Sequence, residues 1–170
     1  LNDELNRPPL DGDETESTLE DASLDGNLLD NAVDPDGNTL SIASFSIAGL
    51  SGPFTLGSAY TIAGVGELTI NADGTYSFDP AADYNGPVPV VSYTVSDGVG
   101  ATVDSTLTIN VTAVDDTFTD AGETVSTNED TSLTGDLLAN AAPDPTGDGP
   151  LAIASFSIAG LSGPFTLGSA

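Results

Sequence analysis

The sequence contains no cysteine, histidine, tryptophan or methionine, and Arg7 is its only basic residue. Each absence closes a class of function. Without cysteine there are no disulfides, so redox chemistry says nothing about compartment. Without histidine or cysteine, zinc and copper lose their preferred ligands, and the usual general bases and thiol nucleophiles are missing. A glycosidase with two carboxyl groups roughly 5–10 Å apart is the catalytic reading left. Lacking tryptophan, the favoured sugar-stacking side chain, and with scattered acids that reach such spacing by chance, the chain is expected not to be an enzyme. No apolar run approaches the roughly 18 residues of a membrane-spanning helix, so no membrane insertion is expected. The N-terminus has neither the basic and apolar regions of a signal peptide nor an initiating methionine, and the chain reads as an internal piece of something longer.

Charge is lopsided. One basic residue faces 27 Asp plus Glu, for a net charge of −26. Nucleic acid and anionic membrane surfaces repel such a chain, and its own compact state suffers self-repulsion. Ion pairing cannot relieve this with a single cationic side chain, whereas divalent cations can. The donors on offer are carboxylates, amide carbonyls and backbone carbonyls, which suit calcium. Weak extracellular calcium sites have dissociation constants on the order of 10⁻⁴–10⁻³ M, which points to a secreted protein.

The chain also repeats itself. Ile42–Ala59 recurs without a change as Ile153–Ala170. Upstream, Glu20-Asp21, Leu24, Leu28-Leu29 and Asn31 match Glu129-Asp130, Leu133, Leu137-Leu138 and Asn140 in a second register. Asp34-Pro35 and Gly37 match Asp144-Pro145 and Gly147 in a third, one position further on. The register slips around the Asp/Pro/Gly-rich loop, as single-residue insertions do in surface loops. A complete repeat therefore runs over 6–114, and 115–170 is the N-terminal half of a second, truncated one. A period of about 110 residues is too long for a solenoid and fits independently folding modules in series. Residues 117–170 lack their later strands, so they are expected to be disordered, poorly packed or completed by another chain.

Within the complete repeat the pattern is β. Leu107, Ile109, Val111 and Ala113 alternate with polar residues, as do Val91, Tyr93 and Val95. Leu68 and Ile70, then Tyr76 and Phe78, flank Asn71-Ala72-Asp73-Gly74, a hairpin connection. Between Leu40 and Ile47 the apolar parity changes midway, which predicts a bulge or a change of sheet. Leu28-Leu29-Asp30-Asn31 suits one helical turn. The expected fold is all-β, an immunoglobulin-like or cadherin-like β-sandwich of about seven strands.

Acidic clusters carry the candidate chemistry. In Asp34-Pro35-Asp36-Gly37-Asn38, alternating oxygen donors on a tight loop suit a hard cation; a solvated β-turn uses the same residues. It is not an EF-hand, because the twelfth position, where a bidentate Glu belongs, is Phe45. Glu20-Asp21 and Glu129-Asp130 read equally as exposed acid pairs. Asp115-Asp116 falls where one repeat ends and the next begins, as either a cation-bridged hinge or a flexible acidic linker. Asp97-Gly98 follows a strand and is of the same kind.

The ordered set is more specific than its parts. Asn6-x-x-Pro9, Glu20-Asp21, the 34–38 loop, residues 71–86, Tyr93–Gly98 and Val111–Asp116 follow one another within one period. This resembles the cadherin-like and immunoglobulin-like tandem repeats of giant type I-secreted (RTX-type) bacterial adhesins, over essentially the whole chain. The resemblance implies a structural extender on the bacterial cell surface whose partners are neighbouring repeats of the same polypeptide, the adhesive target being bound by another module. It implies calcium held by Glu20, Asp34, Asp36 and Asp97 near one end of the complete repeat, and by Asp115, Asp116, Glu129, Asp130 and Asp144 at the junction. Two departures stand out. Arg7 replaces the acid or amide often found in the junction and is left out of the ligand set, and Thr146 replaces the counterpart of Asp36. The glycine-rich nonapeptide of such adhesins is absent. A ligand-binding sandwich, for carbohydrate or another cell, is the alternative, since the fold by itself does not decide function.

Overall fold

Apolar residues at every second position demand a pleated, half-buried surface, and the chain meets that demand in nine strands among its described residues. The computed structural model describes residues 5–114, 118–142, 151–162 and 167. The chain divides into Leu1–Val114 (unit 1) and Asp115–Ala170 (unit 2). All nine strands lie in unit 1: β1 (Glu14–Leu19), β2 (Leu24–Asn27), β3 (Ser41–Ile47), β4 (Tyr60–Ile62), β5 (Gly66–Ile70), β6 (Thr75–Pro80), β7 (Gly86–Pro87), β8 (Val91–Ser96) and β9 (Thr102–Thr112). They exceed the expected seven because the two shortest, β4 and β7, give no periodicity of their own.

One sheet has the order β1-β9-β8-β3, with β7 also on β9, and the other has the order β2-β6-β5-β4. β1 runs parallel to β9, from Glu14 opposite Leu107 to Leu19 opposite Thr112; the remaining pairs are antiparallel. The inward positions of both sheets form one core. Val91, Tyr93, Val95, Leu107, Ile109 and Val111 from the first sheet meet Leu68, Ile70, Tyr76 and Phe78 from the second, all buried. Burying each such side chain contributes about 1.5–3 kcal/mol.

The predicted parity change in β3 is a bulge. Ile42 pairs with Val95 and Ser44 with Thr94, so Ala43 is the extra residue. Ile42, Phe45 and Ile47 thereby all reach the core despite their mixed parity. At the 71–74 connection Asn71 N–H donates to Thr75 O at 2.8 Å, and Gly74 N–H to Asn71 O at 3.1 Å. Gly74 adopts φ 89°, and a Cβ there would collide with Asn27 Oδ1 and Leu29. Two expectations are corrected. Residues 28–31 form hydrogen-bonded turns, Asp30 N–H to Asn27 O and Ala32 N–H to Leu29 O, and no helical turn. The Asn27 side chain also accepts from Leu29 N–H at 2.9 Å, holding the chain in a side-chain-capped turn. Ala113 is exposed, because β9 ends just before it.

Unit 2 has no strand among its described residues; an isolated bridge joins Thr119 and Ala142. Leu137, the counterpart of buried Leu28, is 57% exposed.

Candidate functional site

The candidate ligands of unit 1 lie at opposite ends of β9. At 11 residues this strand spans about 35 Å. Asp97 precedes it, its N–H bonding Ala101 O. Glu20 lies past the other end, its N–H bonding Thr112 O. The expectation that Glu20 joins Asp34, Asp36 and Asp97 near one end is therefore corrected: parallel pairing of β1 with β9 carries Glu20 away from them.

At the end that holds Asp97, reciprocal backbone bonds of 2.8 Å between Leu10 and Val33 lay the entering chain beside the 34–38 loop. Asp34 Oδ1 accepts from the backbone N–H groups of Asp36 (2.8 Å) and Asn38 (3.0 Å), closing the loop on itself. Asp34 Oδ2 is buried and has no hydrogen-bond partner.

Asp36 is gripped by Arg7. Its Oδ2 accepts from Arg7 N–H at 2.6 Å, and its Oδ1 from Arg7 Nε at 2.8 Å and Nη2 at 2.6 Å. Nη2 also donates to Pro35 O. The Arg7 backbone N–H and then its side chain hold the Asp36 carboxyl below its usual range. Arg7, a departure from the family pattern in the sequence, is thus the partner of a candidate ligand 29 residues away.

Asp97 is 3% exposed. Its Oδ1 caps the 97–101 loop by accepting from Val99 and Gly100 (2.9 Å each) and Ala101 (3.0 Å), and its Oδ2 accepts from Asn6 Nδ2 at 2.6 Å. Burial pushes this carboxyl up, but the Asn6 amide and the three backbone donors outweigh it, and the pKa falls below the ordinary value.

At the far end Glu20 is 2% exposed. Its Oε1 accepts from Val114 N–H at 2.5 Å and its Oε2 from Asn85 Nδ2 at 3.2 Å. It fastens the outgoing chain to the end of β1. In unit 2, Glu129 and Asp130 are exposed. Asp130 has φ 61°, as its counterpart Asp21 has 59°. Asp115, Asp116 and Asp144 lie outside the described residues.

A further acidic group escapes sequence reading. The buried Tyr93 hydroxyl donates to Glu14 Oε2, while the Asp11 carboxyl oxygens are shielded without a well-formed hydrogen bond. Beside them, a cleft of about 430 Å³ between β1 and β2 is lined by Asp13, Glu14, Glu16, Asp25, Asp30 and Tyr76. Burial first, then the carboxylates Glu16, Glu14, Asp25 and Asp30, pushes the Tyr76 hydroxyl up to about 12. Alternation marks Tyr93 as core, and nothing in the chain order pairs it with Glu14.

Oxygen donors and the orphaned Asp34 Oδ2 suit a hard cation at the 34–38 loop. The neighbouring oxygens are engaged, however: those of Asp36 by Arg7, and those of Asp97 by Asn6 and the 99–101 backbone; at the far end those of Glu20 are engaged by Val114 and Asn85. Among the described residues no three acids are grouped so as to hold a metal ion.

Fold and ends together define a repeated all-β sandwich module. A family model described as a bacterial cadherin-like domain matches residues 6–113, and the chain belongs to that family. Membership points to a non-enzymatic, adhesin-type repeat module. Comparison with curated proteins returns no match. Among solved structures, a nucleoside hydrolase-related hypothetical protein from Saccharophagus degradans is similar at 14% identity and TM-score 0.43, over 63% of this chain and 26% of that one. An endo-fucoidan hydrolase of glycoside hydrolase family 107 is similar at 19% identity and TM-score 0.34, over 61% of this chain and 16% of that one. The N-terminal Ig1-2 module of the Drosophila receptor protein tyrosine phosphatase DLAR is similar at 14% identity and TM-score 0.29, over 65% of this chain and 52% of that one. The chain spans about a quarter, a sixth and half of their lengths.

Proposed function

We propose that the chain is part of a spacer array on a secreted bacterial adhesin, in which repeats of 6–114 type add length and calcium stiffens the acidic unit ends. The observation that carries the spacer reading is the path of the chain through unit 1. It enters beside Asp97, where Asn6 bonds that carboxylate, and leaves beside Glu20, which bonds Val114. The two points lie at opposite ends of an 11-residue strand. A module that admits and releases its chain at opposite ends gains reach with every copy. Copying is visible here, because the whole of Ile42–Ala59 recurs without a change.

Calcium supplies the positive charge that one arginine cannot. Its proposed ligands are the acids of the sequence pattern: Glu20, Asp34, Asp36, Asp97, Asp115, Asp116, Glu129, Asp130 and Asp144. The neighbouring repeats are the partners in this reading, and a separate module binds the adhesive target. Calorimetric titration of the chain with calcium, together with melts in millimolar calcium and in chelator, tests it. Saturable heat and a higher Tm in calcium support the reading; identical melts with no heat remove the calcium part. A glycan array that returns specific binding replaces the spacer reading with a ligand-binding one.

A further inference from the structure

We propose that the β3 edge of unit 1 is a self-association surface, which pairs edge to edge with the same strand of a second copy of this chain. The contact goes beyond the spacer reading and needs no calcium.

Charge is spread unevenly around the sandwich. From Gly37 to Gly66 there is no charged residue, in a chain of net charge −26. This stretch runs through β3, the 48–59 connection and β4, and β3 and β4 stand last in the order of their two sheets. Phe54 packs between them, its ring centroid 5.4 Å from that of Phe45 and 4.8 Å from that of Tyr60, so the stretch forms one lateral edge of unit 1. The opposite edge is acidic: β1 and β2 flank the cleft lined by Asp13, Glu14, Glu16, Asp25 and Asp30. Charge on an edge strand blocks its pairing with another chain. β1 and β2 carry that protection, and β3 does not. Two copies of so anionic a chain repel each other, and they meet with least repulsion through their uncharged edges.

The backbone of β3 offers the bonds. Among the described residues no strand lies on its side away from β8. Ala48 N–H donates to Val90 O, so Ser44 and Ser46, of the same parity, face β8, and alternation turns the N–H and C=O of Phe45 to the open side. Ile42 N–H is taken by Ala72 O and Ile47 O by Leu50 N–H, which leaves Phe45 at the centre of the open segment. A two-fold axis there lets each Phe45 exchange both bonds with its counterpart. Leu50 and Val90, both exposed, add apolar surface at the end of the strand. The bulge at Ala43 precedes the segment, and β4, at three residues, is too short to compete. So small a contact falls below the roughly 1,200 Å² of a stable interface, so a single pairing is weak. Because Ile42–Ala59 recurs unchanged, complete repeats that carry it present the same edge, and pairings in series reinforce one another.

The test is sedimentation of the full chain over a concentration series in chelator, with amide hydrogen exchange on the same samples. A reversible monomer–dimer equilibrium is expected, and it should strengthen with salt, which screens the like charges. The Phe45 amide should become protected as the dimer fills, whereas the Ala48 amide, bonded to Val90, is protected throughout. S46E places a charge at an exposed position of β3 and should keep the melt while losing the dimer. S157E, at the counterpart position in unit 2, should keep both. A chain that stays monomeric at its highest soluble concentration in high salt overturns the proposal, as does growth that does not stop at two. So does a dimer that S46E retains, or one that only S157E abolishes, which would assign the contact to 153–158. Should S46E fail to fold, the wild-type Phe45 amide decides: exchange that ignores concentration overturns the proposal. The calcium reading fails on a different measurement, an unchanged melt between calcium and chelator.

Discussion

Tyr93, at the centre of one sheet, donates its hydroxyl to Glu14 on the parallel edge strand, 79 residues earlier in the chain. Glu14 and its neighbour Asp11 are both held above the ordinary carboxylate range, burial being the first cause in each. A raised folded-state pKa means that the folded chain takes up these protons more readily than the unfolded one. The cost of the buried charge is thus fully present above the raised values, and is relieved as pH falls through them toward the ordinary 4.5 of Glu14. Glu14→Gln keeps an acceptor for Tyr93 and removes the charge. Its Tm should exceed that of the wild type at neutral pH by on the order of a few degrees, and the gap should close as pH drops. A constant gap across a pH series of thermal melts would show that Glu14 does not titrate as described.

Asp97 behaves with the opposite sign. Its folded pKa is lowered, so its stabilisation is present above the ordinary value of 3.8 and is lost as pH falls through the folded value. Asp97→Ala removes the acceptor for three backbone N–H groups and one amide. The loop 97–101 should then exchange its amide hydrogens much faster, and the fall of Tm on acidification should become shallower than in the wild type. Asp97→Asn retains one carbonyl acceptor and should fall between the two.

Repeat counterparts allow a matched pair of core substitutions. Leu28 is fully buried, and Leu28→Ala should cost about 2–5 kcal/mol. Leu137, its counterpart in unit 2, is 57% exposed, and Leu137→Ala should change stability by no more than about 0.5 kcal/mol. Denaturant unfolding of both variants measures the contrast; comparable losses would mean that Leu137 is packed in solution.

Chelation has a definite magnitude on the calcium reading. A free concentration roughly 10- to 100-fold above the dissociation constant stabilises the folded state by about 1.4–2.7 kcal/mol per site. Removal of calcium should lower the Tm by the corresponding amount, and readdition should restore it. A magnesium control is expected to be weaker, since magnesium demands stricter geometry and gives up its water reluctantly.

Much of unit 1 is legible where bonding is local or periodic. Apolar alternation marks β5, β6, β8 and β9, the Asn71–Gly74 connection marks its hairpin, and the parity change in β3 marks its bulge. The ends are not legible in the same way. Arg7 meets Asp36 across 29 residues, and Glu20 meets Val114 across 94. Nothing periodic connects such positions. Parallel pairing of β1 with β9 separates Glu20 from Asp97, and no local pattern distinguishes a parallel edge strand from an antiparallel one.

The two repeats separate what the sequence determined from what tertiary structure decided. Thr18 Oγ1 donates to Ala22 O at 2.9 Å, and Thr127 Oγ1 to Thr131 O at 3.1 Å. Leu29 N–H bonds the Asn27 side chain at 2.9 Å, and Leu138 N–H bonds the Asp136 side chain at the same distance. The Leu10–Val33 bridge recurs as Thr119–Ala142. The turns form in both units because residues close in sequence supply every donor and acceptor. Ile42–Ile47 lies within the sequence that recurs unchanged as Ile153–Ile158, yet it forms a strand only in unit 1, where β8 lies alongside. A strand's hydrogen bonds belong to its neighbour, so identical residues become β3 only where that neighbour is present.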